Sequence, residues 1–164
     1  DVWVHDLKAG GGRIIGEACH FIDLCTYFTG SEVVEVCMNA MGPDAQANTD
    51  NASILLRYKN GSNAVINYFS NGSKTYSKER IEVHQQNSTL VLDNWRKLMG
   101  FGVRGFSSKR SKQDKGHLNQ FKQLLECVEK ASGPTIPWKE VLNTSKATLG
   151  AVDSLIKGKW ISIK

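Results

Sequence analysis

Asn60-Gly61 sits between two alternating apolar runs, Ser53 to Tyr58 and Asn63 to Phe69. Both turn residues tolerate positive φ, which makes Lys59-Asn60-Gly61-Ser62 the strongest short hairpin signal in the chain. A second hairpin follows, Arg80 to Gln85 and Thr89 to Leu92 about a Gln86-Asn87-Ser88 turn. These four strands are expected as antiparallel neighbours. Glu32 to Met41 has the β-branched and apolar density of another strand, and the polar stretch Pro43 to Asn51 ends it. Asp1-Val2-Trp3-Val4-His5 alternates like an opening strand, and Trp160 to Ile163 reads as a closing one.

Two helices come after the hairpins. Leu118, Phe121, Leu124, Leu125 and Val128 recur at helical spacing until Gly133-Pro134. Pro137 suits the first turn of a second helix running to about Ile156, with Val141, Leu142, Leu149, Val152, Leu155 and Ile156 as its buried stripe. Strands in sequence followed by helices in sequence imply an α+β fold, a mostly antiparallel open sheet with helices packed on one face. The other sheet face then needs a cover, either a second subunit in a homo-oligomer or another domain.

At 164 residues the chain suits one domain. It contains no apolar run near the ~20 residues of a membrane span, and no basic segment leads into an apolar one at its start. With no initiating Met, it reads as a domain cut from a longer polypeptide. Cys19, Cys25, Cys37 and Cys127 form no C-x-x-C pair, so reduced thiols in a cytoplasmic protein are expected. The net charge of +5 is concentrated locally, in Arg104, Lys109, Arg110, Lys112 and Lys115 beside Asp114. That stretch, 104–115, offers an alternative function as a polyanion or nucleic-acid-binding module, although no aromatic stacking platform is interleaved with it.

Gly10 to Gly30 carries most of the chemistry. Three glycines run into a helix pattern with Glu17, His20 and Asp23 three residues apart on one face, continued by Tyr27. Ile15, Ala18, Ile22 and Cys25, with Phe21 and Phe28, supply the apolar side. The glycines allow positive φ or close approach of the backbone to a ligand, and the helix N-terminus favours negative charge. A solvated, ion-paired helix face accounts for the same pattern. Glu17-x-x-His20 is half of a di-iron signature whose second Glu-x-x-His is missing, so no metal site is expected. Cys19 adjoins His20, but neighbouring helical residues point about 100° apart, which assigns Cys19 to packing.

Gly10-Gly11-Gly12, His20, Ile22-Asp23 and Gly30 together resemble the C-terminal, substrate-binding domain of the Gfo/Idh/MocA oxidoreductases. That family's pattern is a glycine run followed by Asp-x-x-x-His-x-x-Asp opening a helix. The likeness extends through the hairpins, the Glu79 to Asn94 segment and the last two helices, and so over residues 1–164 as one C-terminal substrate-binding and oligomerisation domain. The stretch "GGGRIIGEACHFIDL" is similar to proteins in which this unit follows a zinc-type alcohol dehydrogenase domain.

The resemblance implies a dihydrodipicolinate reductase-like fold. It also implies an NAD- or NADP-dependent enzyme acting on a hydroxyl of a sugar, nucleotide sugar or polyol, with the nucleotide held by an N-terminal Rossmann domain that this chain lacks. His20 falls on the family's acid/base histidine; an imidazole, with an unperturbed pKa of ~6.5, suits that proton transfer near neutrality. Asp23 falls on the following acid and orients the helix or His20. The family's first aspartate falls on Gly16, which leaves open whether Glu17, one place on, replaces it. Gly10, Gly11, Gly12, Arg13 and Tyr27 are the implied substrate-binding residues. A third reading makes the domain purely structural, a dimerisation unit with His20 idle.

Gly100-Phe101-Gly102-Val103-Arg104-Gly105 is a literal G-x-G-x-x-G. A dinucleotide site requires a buried strand before it and a helix after it. Trp95 to Met99 makes a poor buried strand and Ser107 to Lys115 a poor helix, so Gly100 to Lys115 is expected as a mobile loop. The chain alone should therefore bind NAD(P) negligibly. Calorimetry giving a dissociation constant in the micromolar range would overturn that expectation.

Overall fold

In the computed structural model, which describes residues 3–164, strand alternation decides which side chains become core. β1 (Val33–Ala40), β2 (Asn51–Tyr58) and β3 (Asn63–Phe69) pair antiparallel, and a short β8 (Ile161–Ser162) closes the sheet in the order β3-β2-β1-β8. Inward rows run Val36–Leu56–Ala64, Met38–Ile54–Ile66 and Ala40–Ala52–Tyr68. The opposite face shows Cys37–Leu55–Val65 in one row, with Leu55, Val65 and Phe69 exposed.

Two helices cover the inward face. α1 (Cys19–Thr29) continues a π-helical turn, Ile14–Ala18, and ends at Gly30 in the left-handed conformation. The second, Trp138–Lys157, is designated α3. Its buried residues are Thr144, Ala147, Thr148, Gly150, Ala151 and Ser154. The expected stripe is therefore corrected: Val141, Leu142, Leu149 and Ile156 are exposed, and Val152 and Leu155 only flank the core. The cause is closeness. A Cβ on Gly150 would lie 2.8 Å from Ile163 Cδ1 and 3.0 Å from Val36 Cγ1, so large side chains cannot occupy the inward face.

Polar contacts complete the docking of α3 on β1. The Asn143 side chain accepts from the Val33 amide at 2.8 Å and donates to the Val33 carbonyl at 2.9 Å. Ser154 Oγ accepts from the Met38 amide at 3.1 Å and donates to the Lys159 carbonyl at 2.6 Å.

Gly72–Thr135 forms a unit of its own. Here β4 (Arg80–Gln85), β5 (Ser88–Asp93), β6 (Lys97–Phe101) and β7 (Ser108–Arg110) make an antiparallel meander. The two hairpins predicted as one set of neighbours thus belong to two different sheets, because β3 and β4 do not pair and the polar segment between them leaves β3 at an edge. Of the loop expected at Gly100 to Lys115, Gly100–Phe101 and Ser108–Arg110 are strand, and the rest lies outside regular secondary structure. Its glycines serve the hairpin: a Cβ at Gly100 would meet the Phe106 ring at 2.6 Å, and one at Gly102 would meet the Asn87 carbonyl oxygen at 2.5 Å.

Asn94 and Trp95 both adopt positive φ, 47° and 56°, which is uncommon for so bulky a residue as tryptophan. The Trp95 indole donates to Glu79, which also accepts from Lys115 Nζ at 2.7 Å. Burial raises the Glu79 carboxyl pKa, but these two donors outweigh it and leave the group below its ordinary value. α2 (His117–Lys130) follows, with Leu118, Phe121, Leu125 and Val128 exposed.

The opening segment also differs from expectation. Trp3–His5 is a 3-10 turn, not a strand, and Asp1 and Val2 lie outside the described residues. The amides of Gly10 and Gly11 both donate to the Asp6 carbonyl and that of Gly12 to the Val4 carbonyl, folding this segment back on the glycine run.

Asn143→Ala should cost about 1–3 kcal/mol, since it leaves both backbone groups of Val33 unpaired. Leu149→Ala, on the exposed side of the same helix, should cost under about 1 kcal/mol. Urea unfolding midpoints of the two variants test the contrast.

Candidate functional site

The glycine run builds the entrance to the site helix. Gly11 and Gly12 have φ of 71° and 88°, the backbone region the sequence anticipates. The run packs against protein on more than one side. A Cβ on Gly10 would lie 2.6 Å from both the Trp3 carbonyl oxygen and Val4 Cα, and one on Gly12 would lie 3.2 Å from Asn48 Cα. Gly12 itself is buried.

The π-helical turn was not anticipated. It carries one extra residue per turn. Ile14, Ala18, Ile22 and Thr26, each four apart, become the buried line, so Ile14 takes the inner place expected of Ile15. Thr26 fits there because its hydroxyl donates to the Ile22 carbonyl at 3.0 Å.

Opposite this line the chemistry is laid open. Glu17 and His20 are exposed, Asp23 is half-buried, and Tyr27 is 79% exposed with its ring 5.9 Å from that of Phe28. No hydrogen bond or ion pair joins His20 to either carboxylate among the described residues, nor are three or more potential metal-ligating side chains gathered there. Asp23 accepts instead from Thr144 Oγ1 of α3, at 3.4 Å. Nothing local in the sequence announces that contact, which spans 121 positions.

Arg13 interacts with Tyr68 of β3. Tyr68 of β3 raises its pKa first, with the charges of Glu17 and Asp50 adding to the effect. Its Nε is buried without a partner. At Gly16, where the family aspartate would fall, an added Cβ meets nothing within 4 Å, so the site has room for the side chain it lacks.

Cys19 is half-buried, and burial raises its pKa, consistent with packing. An open groove of about 530 Å³ runs between α3 and β8, lined by Ile15, Leu149, Gly150, Ile161 and Ile163, and it does not include His20. The Gly100–Gly105 motif links two antiparallel strands and opens no helix, so it does not fit a dinucleotide. In the basic stretch, Lys115 is paired with Glu79, and Lys109 and Arg110, adjacent on β7, point to opposite faces.

The model of the GFO/IDH/MocA C-terminal domain matches residues 1–91, and the chain belongs to that family. Solved structures share its fold at low sequence identity. An NAD-binding oxidoreductase from Klebsiella pneumoniae is 16% identical with a TM-score of 0.77, covering 100% of this chain and 54% of that one. An aldose-aldose oxidoreductase from Caulobacter crescentus complexed with glycerol is 15% identical with a TM-score of 0.75, covering 99% and 51%. An oxidoreductase from Agrobacterium radiobacter in complex with NAD+, L-tartaric acid and magnesium is 15% identical with a TM-score of 0.73, covering 89% and 47%. The chain thus spans about half the length of these proteins. No curated protein matches the sequence significantly. None of the helices among the described residues is long and apolar enough to cross a membrane.

Burial pushes the Cys25 thiol up to about 11. The thiolate is the reactive form, so in the folded chain at pH 8 Cys25 should alkylate roughly tenfold or more slowly than in urea. Mass spectrometry of iodoacetamide-treated samples measures this directly.

Proposed function

We propose that this chain is the C-terminal, substrate-binding domain of an NAD(P)-dependent oxidoreductase that acts on a hydroxyl of a sugar, nucleotide sugar or polyol, with His20 as acid/base. One observation carries the reading: in a member of this family, His20 stands exposed on the helix that follows the glycine turn, one turn before a tethered carboxylate. The glycerol and L-tartaric acid of the two complexes are hydroxylated small molecules, which supports a carbinol substrate.

The dinucleotide belongs to an N-terminal Rossmann domain of the same polypeptide, and no residue of this chain is assigned to it. When bound there, the dinucleotide would supply the hydride chemistry at the carbinol carbon. The part of this chain is to bind the substrate and manage the proton. His20 takes the hydroxyl proton in oxidation and returns it in reduction. Asp23 orients the imidazole, and Gly10 to Gly12, Arg13 and Tyr27 border the substrate. Glu17, one place after Gly16, is the candidate replacement for the carboxylate missing there.

The outward row Cys37–Leu55–Val65, in which Leu55 and Val65 are exposed, is proposed as the self-association face. A zinc-type alcohol dehydrogenase domain upstream and a cytoplasmic setting belong to the same reading, the latter supported by four free thiols.

In the full-length polypeptide, His20→Asn should lower kcat by roughly 10² to 10⁴ while retaining much of the substrate binding, and should remove a limb of the pH–rate profile near neutrality. An active variant with an unchanged profile would refute the assignment. Glu17→Gln separates two roles: a comparable loss makes Glu17 the replacement for the absent aspartate, and a mild one leaves it as a first-turn residue favoured by the helix dipole.

A further inference from the structure

Asp23 is a half-buried carboxylate with no cationic partner among the described residues. Its charge is felt by two titratable neighbours, Cys19 and Tyr58, each held above its ordinary pKa by burial first and by Asp23 in addition. The hydrogen bond it accepts comes from the Thr144 hydroxyl, 3.4 Å away on α3.

The behaviour of Thr144 is unlike that of its neighbours. A hydroxyl inside a helix commonly donates to the carbonyl four residues back. Thr148 does so to Thr144 at 2.8 Å, Ser145 to Val141 at 2.8 Å, and Thr26 to Ile22 at 3.0 Å. Thr144, only 8% exposed, makes no such bond and directs its single proton to another helix. Its place is fixed from behind, because the preceding residue, Asn143, is clamped to Val33 by two hydrogen bonds. The donor is therefore held by the sheet, and the acceptor is the acid three residues after His20 on one helix face.

We propose that Thr144 is a positioning residue for the reaction: its hydroxyl holds Asp23 Oδ1, leaving the other carboxylate oxygen free to engage the His20 imidazole once substrate is bound, a contact the unliganded chain does not make. The role rests on the reading of His20 as acid/base. An imidazole works as a proton acceptor in one tautomer and orientation, and a carboxylate fixed at its far side selects both.

The test uses the full-length enzyme. Thr144→Val keeps the shape and removes the proton; kcat should fall about fivefold, with KM changed less than about twofold. Thr144→Ser, which restores the hydroxyl, should recover most of the loss. In an Asp23→Ala background, Thr144→Val should change kcat by less than about twofold, since its target is gone. An unchanged kcat in Thr144→Val overturns the proposal, as does a full loss persisting without Asp23, or a loss that Thr144→Ser does not relieve.

The two levels separate through His20→Asn. If that variant is impaired and Thr144→Val is not, the positioning role alone falls. If His20→Asn is silent, the acid/base reading falls and takes the positioning role with it.

Discussion

The seating of α3 on β1 is the contact on which the first unit depends. It is made by small side chains and a few polar ones: Asn143 on both backbone groups of Val33, Gly150 against Val36 and Ile163, and Ser154 between Met38 and Lys159. Each satisfies a group that burial would otherwise leave unpaired, or removes bulk that would hold the layers apart. Close seating brings Thr144 within reach of α1 and lets β8 close the sheet beside β1. A Leu-rich interface would provide more apolar area at a larger separation, and the polar bonds could not form.

The site helix follows the same logic from the other direction. Ile14, Ala18, Ile22 and Thr26 anchor it in the core, so the residues opposite them face outward. His20 is presented on the exposed side of that helix. The glycine run contributes by packing. Gly10 and Gly12 lie so close to the backbone of Trp3, Val4 and Asn48 that their lack of side chains is already used within the domain.

Strand positions were legible because two independent signals coincide, period-two alternation and turn residues that accept positive φ. The limits predicted for β3 and β4 match those observed. The helices were legible as helices but not by face. Periodicity locates apolar residues without saying which side a sheet will take, and in α3 the sheet took Thr144, Ala147, Gly150, Ala151 and Ser154. β6 was missed because Lys97 and Gly100 make it look irregular, and it is cross-strand pairing with Leu92 and Val91 that holds it. The spacing of His20 and Asp23 was readable from the chain alone. The Thr144 contact was not, since chain-distant partners leave no local pattern.

The division of α3 into a small-residue side and a large-residue side also sets how the helix can change over generations. At Gly150 or Ala151 almost any substitution adds atoms where none fit, so these positions are frozen by volume. Leu149 and Ile156, directed away, meet no such limit and are free to drift among residues of similar character. One helix thus has a side on which volume restricts the residue and a side on which it does not, and only the second leaves room for change without disturbing the fold.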